Sequence, residues 1–276
     1  MTIYRQNDKI SRSLFIIRGI KMDLNILIYV FVGFVAEMID GSLGMAYGVS
    51  CNSFLLSLGI PSITPALASA CVHASELFTT AVSGISHMKL GNIDKKVFRR
   101  LLFPGIIGGM LGAYVITSLP GNLLKPYVNV YLLIMGILII YKAFGKHIKE
   151  KAFGKRHLMP LGAVGGFFDA IGGGGWGPIV TSTLVAGGKN PRFAVGSVNS
   201  AEFFVTVSES IVFVLALGAL MSQNWQIIVG LIFGGVIAAP IAAAITKKIP
   251  TKPFMIIVGL LISFLSIRTL ILMYLK

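Results

Sequence analysis

Acidic side chains are scarce in this chain. Ten Asp and Glu stand against 24 Lys and Arg among 276 residues, and charge of either sign makes up only 12% of a composition that is 55% hydrophobic. That balance leaves no soluble domain of useful size. Cysteine is equally sparse: Cys51 and Cys71 form neither a CxxC pair nor a metal-ligand spacing, which makes them small packing residues. No His/Asp/Glu cluster has ligand spacing and no serine sits in a nucleophile motif. The chain is therefore not read as an enzyme, and neither a cofactor nor a metal is expected. The run "GGGGWGP" lacks the Lys-Ser/Thr that completes a phosphate-binding loop.

Long apolar runs are what the chain has instead. "YVNVYLLIMGILIIYKAF" and "FMIIVGLLISFLSIRTLILMYL" are each long enough to span a bilayer, and such runs recur from residue 24 onward. The expectation is an all-α polytopic protein of the cell (inner) membrane, with lipid as its surroundings. A net charge of +14 would suit a nucleic-acid partner, but the Lys and Arg lie in short segments between apolar runs, where cytoplasmic loops collect them. No nucleic-acid partner is expected. The N-terminus "MTIYRQNDKISRSLFIIRGIK" is too interrupted by charge for a signal peptide.

The chain reads as a duplication. "TPALASACVHASELF" (64–78) lies over "NPRFAVGSVNSAEFF" (190–204), which pairs Pro65 with Pro191, His73 with Asn199 and Glu76 with Glu202. "LLFPGIIGGMLGAYVITSLP" lies over "LIFGGVIAAPIAAAITKKIP", and "EMIDG" over "DAIGG", which pairs Glu37 with Asp169. The expected organisation is a basic tail (1–22), a first transmembrane repeat (23–144), a basic cytoplasmic linker (145–157) and a second repeat (158–276). Each repeat begins with two short apolar pieces (24–41 and 46–59; 158–171 and 176–188) split by a glycine-rich break. Apart from 24–41, these pieces have only 13 or 14 residues and reach about 20 Å at 1.5 Å per residue, short of the hydrocarbon core. Three longer segments follow in each repeat.

Corresponding loops differ in charge. The loop around 89–100 carries Lys89, Lys95, Lys96, Arg99 and Arg100, while its counterpart "MSQNWQ" carries none; "GIPSIT" is uncharged, while "GKNPR" holds Lys189 and Arg192. Positive loops face the cytoplasm, so the two repeats are expected to be inverted, with about 8–10 transmembrane segments in all. The basic tail disagrees, since this topology places it outside. A translation start at Met22 removes the conflict, and a parallel arrangement with four spans per half is the alternative.

Irregular backbone at membrane depth survives where it lines a cavity or packs against protein. Glycine-interrupted segments at matching places in two inverted halves point to a transporter's substrate site. A helix starting near Gly177–Pro178 would aim free N–H groups and a positive helix end at the break, which favours an anion. The candidate substrate-binding residues are Gly41, Ser42 and Gly44 in the first half. In the second they are Gly173, Gly174, Gly175, Trp176 and Gly177, the hydroxyls of Thr181 and Ser182, and Asn199. Glycines that merely permit close packing are the competing reading. Acids at this depth face a pathway or a partner. Glu76, Glu202, Asp169, Glu37 and His73 are the candidates for coupling or gating; the acids could relay protons or could hydrogen-bond the amides of the breaks.

The motifs "AEMIDGSLGMAYGVS" and "PALASACVHASELFTTAVSGISH", then "DAIGGGGWGPIVTSTLVAGG" and "PRFAVGSVNSAEFFV", resemble the sulfite exporter TauE/SafE family, also called the TSUP permeases. The resemblance runs from about residue 24 nearly to the end; the first half departs from the family's glycine run by reading "DGSLGMAYG". It implies a secondary transporter of small sulfur-containing anions such as sulfite, thiosulfate, sulfoacetate or other organosulfonates; alternating access with the site between the two breaks is the expected mechanism, and whether the acids couple it to protons stays open. An anion channel, or a transporter of small carboxylates, is the alternative. The apolar faces would also allow a homodimer.

Overall fold

The computed structural model describes residues 26–144, 154–245 and 251–275. The basic tail with Met22, most of the linker, and the connection carrying Lys247 and Lys248 lie outside them. Among the described residues the regular elements are all helical. They are α1 (Ile26–Leu43), α2 (Tyr47–Ser57), α3 (Pro65–Lys89), α4 (Lys95–Ser118), α5 (Gly121–Ala143) and α6 (Lys155–Gly172). A wide π-type turn at Gly177–Thr181 then leads into α7 (Ser182–Ala186), followed by α8 (Pro191–Gln223), α9 (Trp225–Ile245) and α10 (Thr251–Tyr274).

Local chemistry sets the helix starts. Thr64 accepts a hydrogen bond from Leu67 N ahead of Pro65, and Asn190 accepts one from Arg192 N ahead of Pro191. Asp94 accepts from Lys96 N and Val97 N to start α4. Among the described residues six helices (α1, α4, α5, α8, α9 and α10) are long and apolar enough to cross a membrane. That is fewer than the 8–10 segments expected, for a physical reason. α3 has 25 residues, but His73, Glu76 and a series of buried Ser and Thr lower its apolarity. α6 opens on Lys155, Arg156 and His157, and α2 and α7 are too short to span.

Small residues let the helices approach one another, as they do in bilayers, where no hydrophobic force drives helices together. α4 crosses α6 where Gly108 and Gly112 lie on the backbone of Ala163 and Phe167, and Gly162 and Gly166 lie on Leu101 and Gly105. α9 crosses α1 in the same way, with Gly230 and Gly234 against Tyr29 and Val30, and Gly33 against Leu231. α3 packs on α8 at the centre, and α5 packs on α10 at the periphery. Large apolar side chains such as Phe31, Phe103, Tyr127, Ile137, Leu215 and Phe264 remain exposed, a surface suited to lipid.

The end of α3 meets the start of α8. Arg192 donates to Leu90 O and to Asn92 Oδ1, Asp94 N donates to Ser197 Oγ, and Lys189 Nζ lies 2.7 Å from Asp94 Oδ2. α3 and α8 therefore run antiparallel, and the two basic loops "KLGNIDKK" and "GKNPR" share one end of the molecule. An open depression of about 420 Å³ lies here, lined by Ile93, Asp94, Lys189, Asn190 and Phe193.

Two outcomes follow from this packing. A side chain at Gly108 runs into the Ala163 backbone, so Gly108→Val should destabilise by about 1–3 kcal/mol. Gly218→Ala meets only Val214 Cγ1 at 3.8 Å and should change stability by less than about 1 kcal/mol; thermal melting in detergent compares the two. At the loop corner, partial burial works to raise the Asp94 pKa. The hydrogen bond from Lys189 and those from Lys96 and Val97 N–H outweigh it and hold it below the ordinary value. A depressed pKa stabilises the fold above the unfolded value and is lost as pH falls through the folded one. Asp94→Asn should therefore lower the melting temperature near neutral pH, with the difference from wild type vanishing in acid.

Candidate functional site

The two glycine breaks meet at the centre of the molecule. A Cβ at Gly48 would stand 2.6 Å from Gly174 Cα, Gly174 lies on Val49 N, and Gly177 lies on Met45 and Gly44 O. The chain can turn there because Gly44 and Gly173 both adopt the left-handed conformation, with φ of +68° and +64°. Ala46 also has positive φ (+93°), an uncommon geometry for a residue with a Cβ.

Each break is closed by an acid from the helix before it. Asp169 Oδ1 accepts from Gly175 N (2.6 Å) and Trp176 N (2.9 Å), and Asp169 O accepts from Gly174 N (2.9 Å). In the first half Asp40 Oδ1 accepts from Tyr47 N (3.3 Å), and Asp40 O accepts from Gly44 N (2.5 Å). The sequence comparison paired Glu37 with Asp169, and the capping geometry corrects this. Asp40 caps the amide seven residues on at Tyr47, as Asp169 caps the one at Trp176, so Asp40 is the counterpart of Asp169.

α3 and α8 add a second layer, and its contacts cross between the halves. His73 Nε2 stands 3.6 Å from Asp169 Oδ2 and 2.9 Å from Glu209 Oε2, while Nδ1 lies 2.8 Å from Ser69 O. Asn199 Nδ2 donates to Ser83 Oγ (3.1 Å) and lies 3.5 Å from Asp40 Oδ2. The spacing that pairs His73 with Asn199 also pairs Ser83 with Glu209. Each half thus offers α3 or α8 side chains to the other half's capping acid. One such pair is titratable (His73 and Glu209) and the other neutral (Asn199 and Ser83). Glu37, Glu76 and Glu202 complete the group; all are buried, and each keeps one carboxylate oxygen without a hydrogen bond.

One donor atom each of His73, Glu76 and Asp169 lies within 4.8 Å of the others. Glu209 already fills the approach to His73 Nε2, at 2.9 Å. That is closer than the roughly 3.3 Å between two ligands of one tetrahedral ion. The group suits a proton's charge better than an ion's.

The residues expected to hold substrate divide in two. Gly44, Gly173, Gly174, Gly175, Trp176 and Gly177 are at the breaks. The amides of Gly44, Gly174, Gly175 and Trp176 are already bonded to the two aspartates rather than free. Trp176 is a buried wall, not an interface anchor; its ring lies on Gly105 and its Nε1 donates to Val198 O (3.2 Å). Thr181 is buried with its hydroxyl unpartnered. Asn199 faces the first break. Gly41 and Ser42 instead belong to the last turn of α1. Gly41 lies against Ala242, with its carbonyl 3.1 Å from His87 Nε2, and Ser42 Oγ donates to Met38 O and Ile39 O of its own helix. Ser182 Oγ bonds Pro178 O and accepts from Lys142 Nζ (2.6 Å).

Sequence reasoning counts Asp40 and Glu209 among the intramembrane polar groups without giving them a site role, and it does not single out Ser83, Asn52 or Lys142. Asn52 reaches across to donate to Gly172 O. The acid–x6–aromatic–Gly spacing shared by Asp40–Tyr47–Gly48 and Asp169–Trp176–Gly177 is a signal that finds Asp40.

A helical, polytopic membrane protein with one deep polar centre joining two broken helices is built as a transporter. Comparison with known proteins agrees. The model of the sulfite exporter TauE/SafE family matches residues 29–269. The chain is 42% identical over 254 residues to the "probable membrane transporter protein YtnM" of Bacillus subtilis (strain 168), covering 89% of this chain and 83% of that one. No solved structure matches. The chain belongs to the sulfite exporter TauE/SafE family, and it is a membrane transporter.

Asp169→Ala strands two buried amides and should cost about 2–4 kcal/mol. Asp169→Asn keeps an accepting oxygen and should cost less, as should Asp40→Ala, which strands one weaker bond. Melting temperatures of the three proteins order these losses, and equal losses would remove the capping role.

Proposed function

We propose that this protein carries small sulfur-containing anions (sulfite, thiosulfate, sulfoacetate or other organosulfonates) across the cell membrane by alternating access. One observation carries the reading: two helix N-termini are brought back to back at the centre, each with its amides held by a carboxylate. Helix N-termini satisfy anions through N–H groups and the positive end of the dipole. A substrate oxyanion bound here takes the place of a carboxylate that already tests the fit. Sulfur as the element comes from the name of the family.

The antiparallel course of α3 and α8, and the loop charges, support inverted halves that rock about this centre. Glu76 and Glu202 sit at equivalent places on those two helices, where either can gate or couple transport by gaining a proton. Exposed apolar side chains such as Leu215 and Phe264 would suit a second copy as well as lipid.

The test is a melting panel of the detergent-purified protein against sulfite, thiosulfate, sulfate, sulfoacetate, taurine and carboxylates. A ligand that binds only the folded state at about 100 times its Kd adds roughly 2.7 kcal/mol of stability. A sulfur anion should stand above its carboxylate analogue. A carboxylate standing higher transfers the reading to that class, and a panel with no response at all removes the anion site.

A further inference from the structure

We propose that His73 and Glu209 hold a proton that passes to Asp169 and thereby releases the Gly175 and Trp176 amides, so that one proton enters the site with each substrate anion. This rests on the anion site proposed above. It adds what empties that site and names the residues.

Ser69 O can only accept, so His73 Nδ1 at 2.8 Å carries a hydrogen. Nε2 then faces two carboxylates, Glu209 at 2.9 Å and Asp169 at 3.6 Å, in a wholly buried place. Neither Nε2 nor the Glu209 oxygens has an aligned hydrogen-bond partner, so the contact is one of charge. With no proton on the pair, a nitrogen lone pair would stand against a buried carboxylate, an arrangement that low-dielectric surroundings penalise heavily. The His73–Glu209 pair therefore holds one removable proton.

Asp169 is placed to receive it. Its Oδ1 is committed to the two amides, while Oδ2 is buried, unpartnered and turned toward His73. In the transfer the His73 Nε2–H bond breaks and an Asp169 Oδ2–H bond forms. The ring becomes neutral as Glu209 takes a proton from water, so the pair is not left without one. A neutral carboxyl is a weaker acceptor than a carboxylate, so the amides become available to an incoming anion. The other titratable groups facing this centre are Glu76 on α3, Glu202 on α8, Asp40 and Glu37 on α1, Tyr47 on α2 and Tyr131 on α5. Any of these carboxyl groups that is ionised would repel an arriving anion, which favours an anion that brings a proton over one that does not.

The first break, capped by Asp40, has no such pair among the described residues. Asn199 and Ser83 stand where His73 and Glu209 stand, and Asn199 bonds Ser83 without a titratable group between them. That difference designs the experiment. The double variant His73→Asn/Glu209→Ser gives the second break the first break's own pair, and Asp169→Asn keeps a capping oxygen that cannot take the proton.

Radiolabelled thiosulfate, whose charge is constant between pH 5.5 and 8, is bound to wild type and both variants in detergent across that range. Wild-type affinity should rise as pH falls, approaching about tenfold per pH unit where one proton accompanies each anion. Both variants should bind with little or no pH slope. Should the double variant fail to fold, Asp169→Asn carries the test alone. A wild-type slope retained in a folded variant overturns the proton route and leaves the anion site standing. A slope that disappears with EDTA and returns with Zn²⁺ overturns it in favour of a metal. Wild type that binds thiosulfate with no slope also overturns it. Failure of wild type to bind thiosulfate or any other panel anion removes both this inference and the site beneath it.

Discussion

The structure depends on carboxylates satisfying backbone amides at the depth of a membrane. Breaking a helix in hydrocarbon exposes N–H groups that cost several kcal/mol each if unpaired, on the order of the values for transfer to an apolar solvent. Asp169 meets that demand for Gly175 and Trp176, and Asp40 meets it for Tyr47. The solution creates a second demand, because a buried carboxylate is itself expensive. His73 and Asn199, brought over from the opposite half, answer it. The packing of α3 on α8 is thus dictated from the middle outward: the two helices must lie where their polar side chains reach the two caps.

Glycine serves this arrangement in two separate ways. At Gly44 and Gly173 it permits the turn itself; at Gly48, Gly174 and Gly177 it lets the two turned segments touch. Close packing therefore accounts for Gly48, Gly174 and Gly177, while Gly44 and Gly173 shape the break itself. A third use lies farther out. Gly109 leaves room for the Glu209 side chain and Gly105 for the Trp176 ring, so the smooth face of α4 is shaped around the polar centre as well as around α6.

Much of this was legible in the sequence. The breaks, the helices on either side of them and the equivalence of Glu76 with Glu202 follow from hydropathy and from a repeat strong enough to align at Pro65 and Pro191. The register at the breaks was not legible, because "EMIDG" and "DAIGG" share an acid and a glycine at a false offset. The true match, acid to aromatic over seven residues, skips a stretch where only Gly44 and Gly173 coincide. The partners of the caps were not legible for a more general reason. Asn199 and Asp40 are 159 positions apart, and no periodicity within a helix records which side chain of another helix it will meet. The shortfall in recognised spans has the same origin, since the polar residues that make α3 a site-bearing helix also make it a poor match to a lipid-spanning one.

The caps also bear on how a transporter can hold an anion without trapping it. Amides left open for substrate would be unsatisfied whenever the site was empty, and a site built that way would be unstable in its resting state. A carboxylate tethered one turn away is present at very high effective concentration, so the amides are never without an acceptor. At the proposed site an anion that displaces it would gain only the difference between two similar interactions. Its affinity would be set by that exchange rather than by the full strength of a helix N-terminus, which would leave the anion free to depart. The same exchange makes the site responsive to anything that changes the charge on the tethered acid. On the first break the partner of that acid is a neutral amide; on the second it is a histidine with a second carboxylate behind it. That contact is one chemical asymmetry between the two breaks.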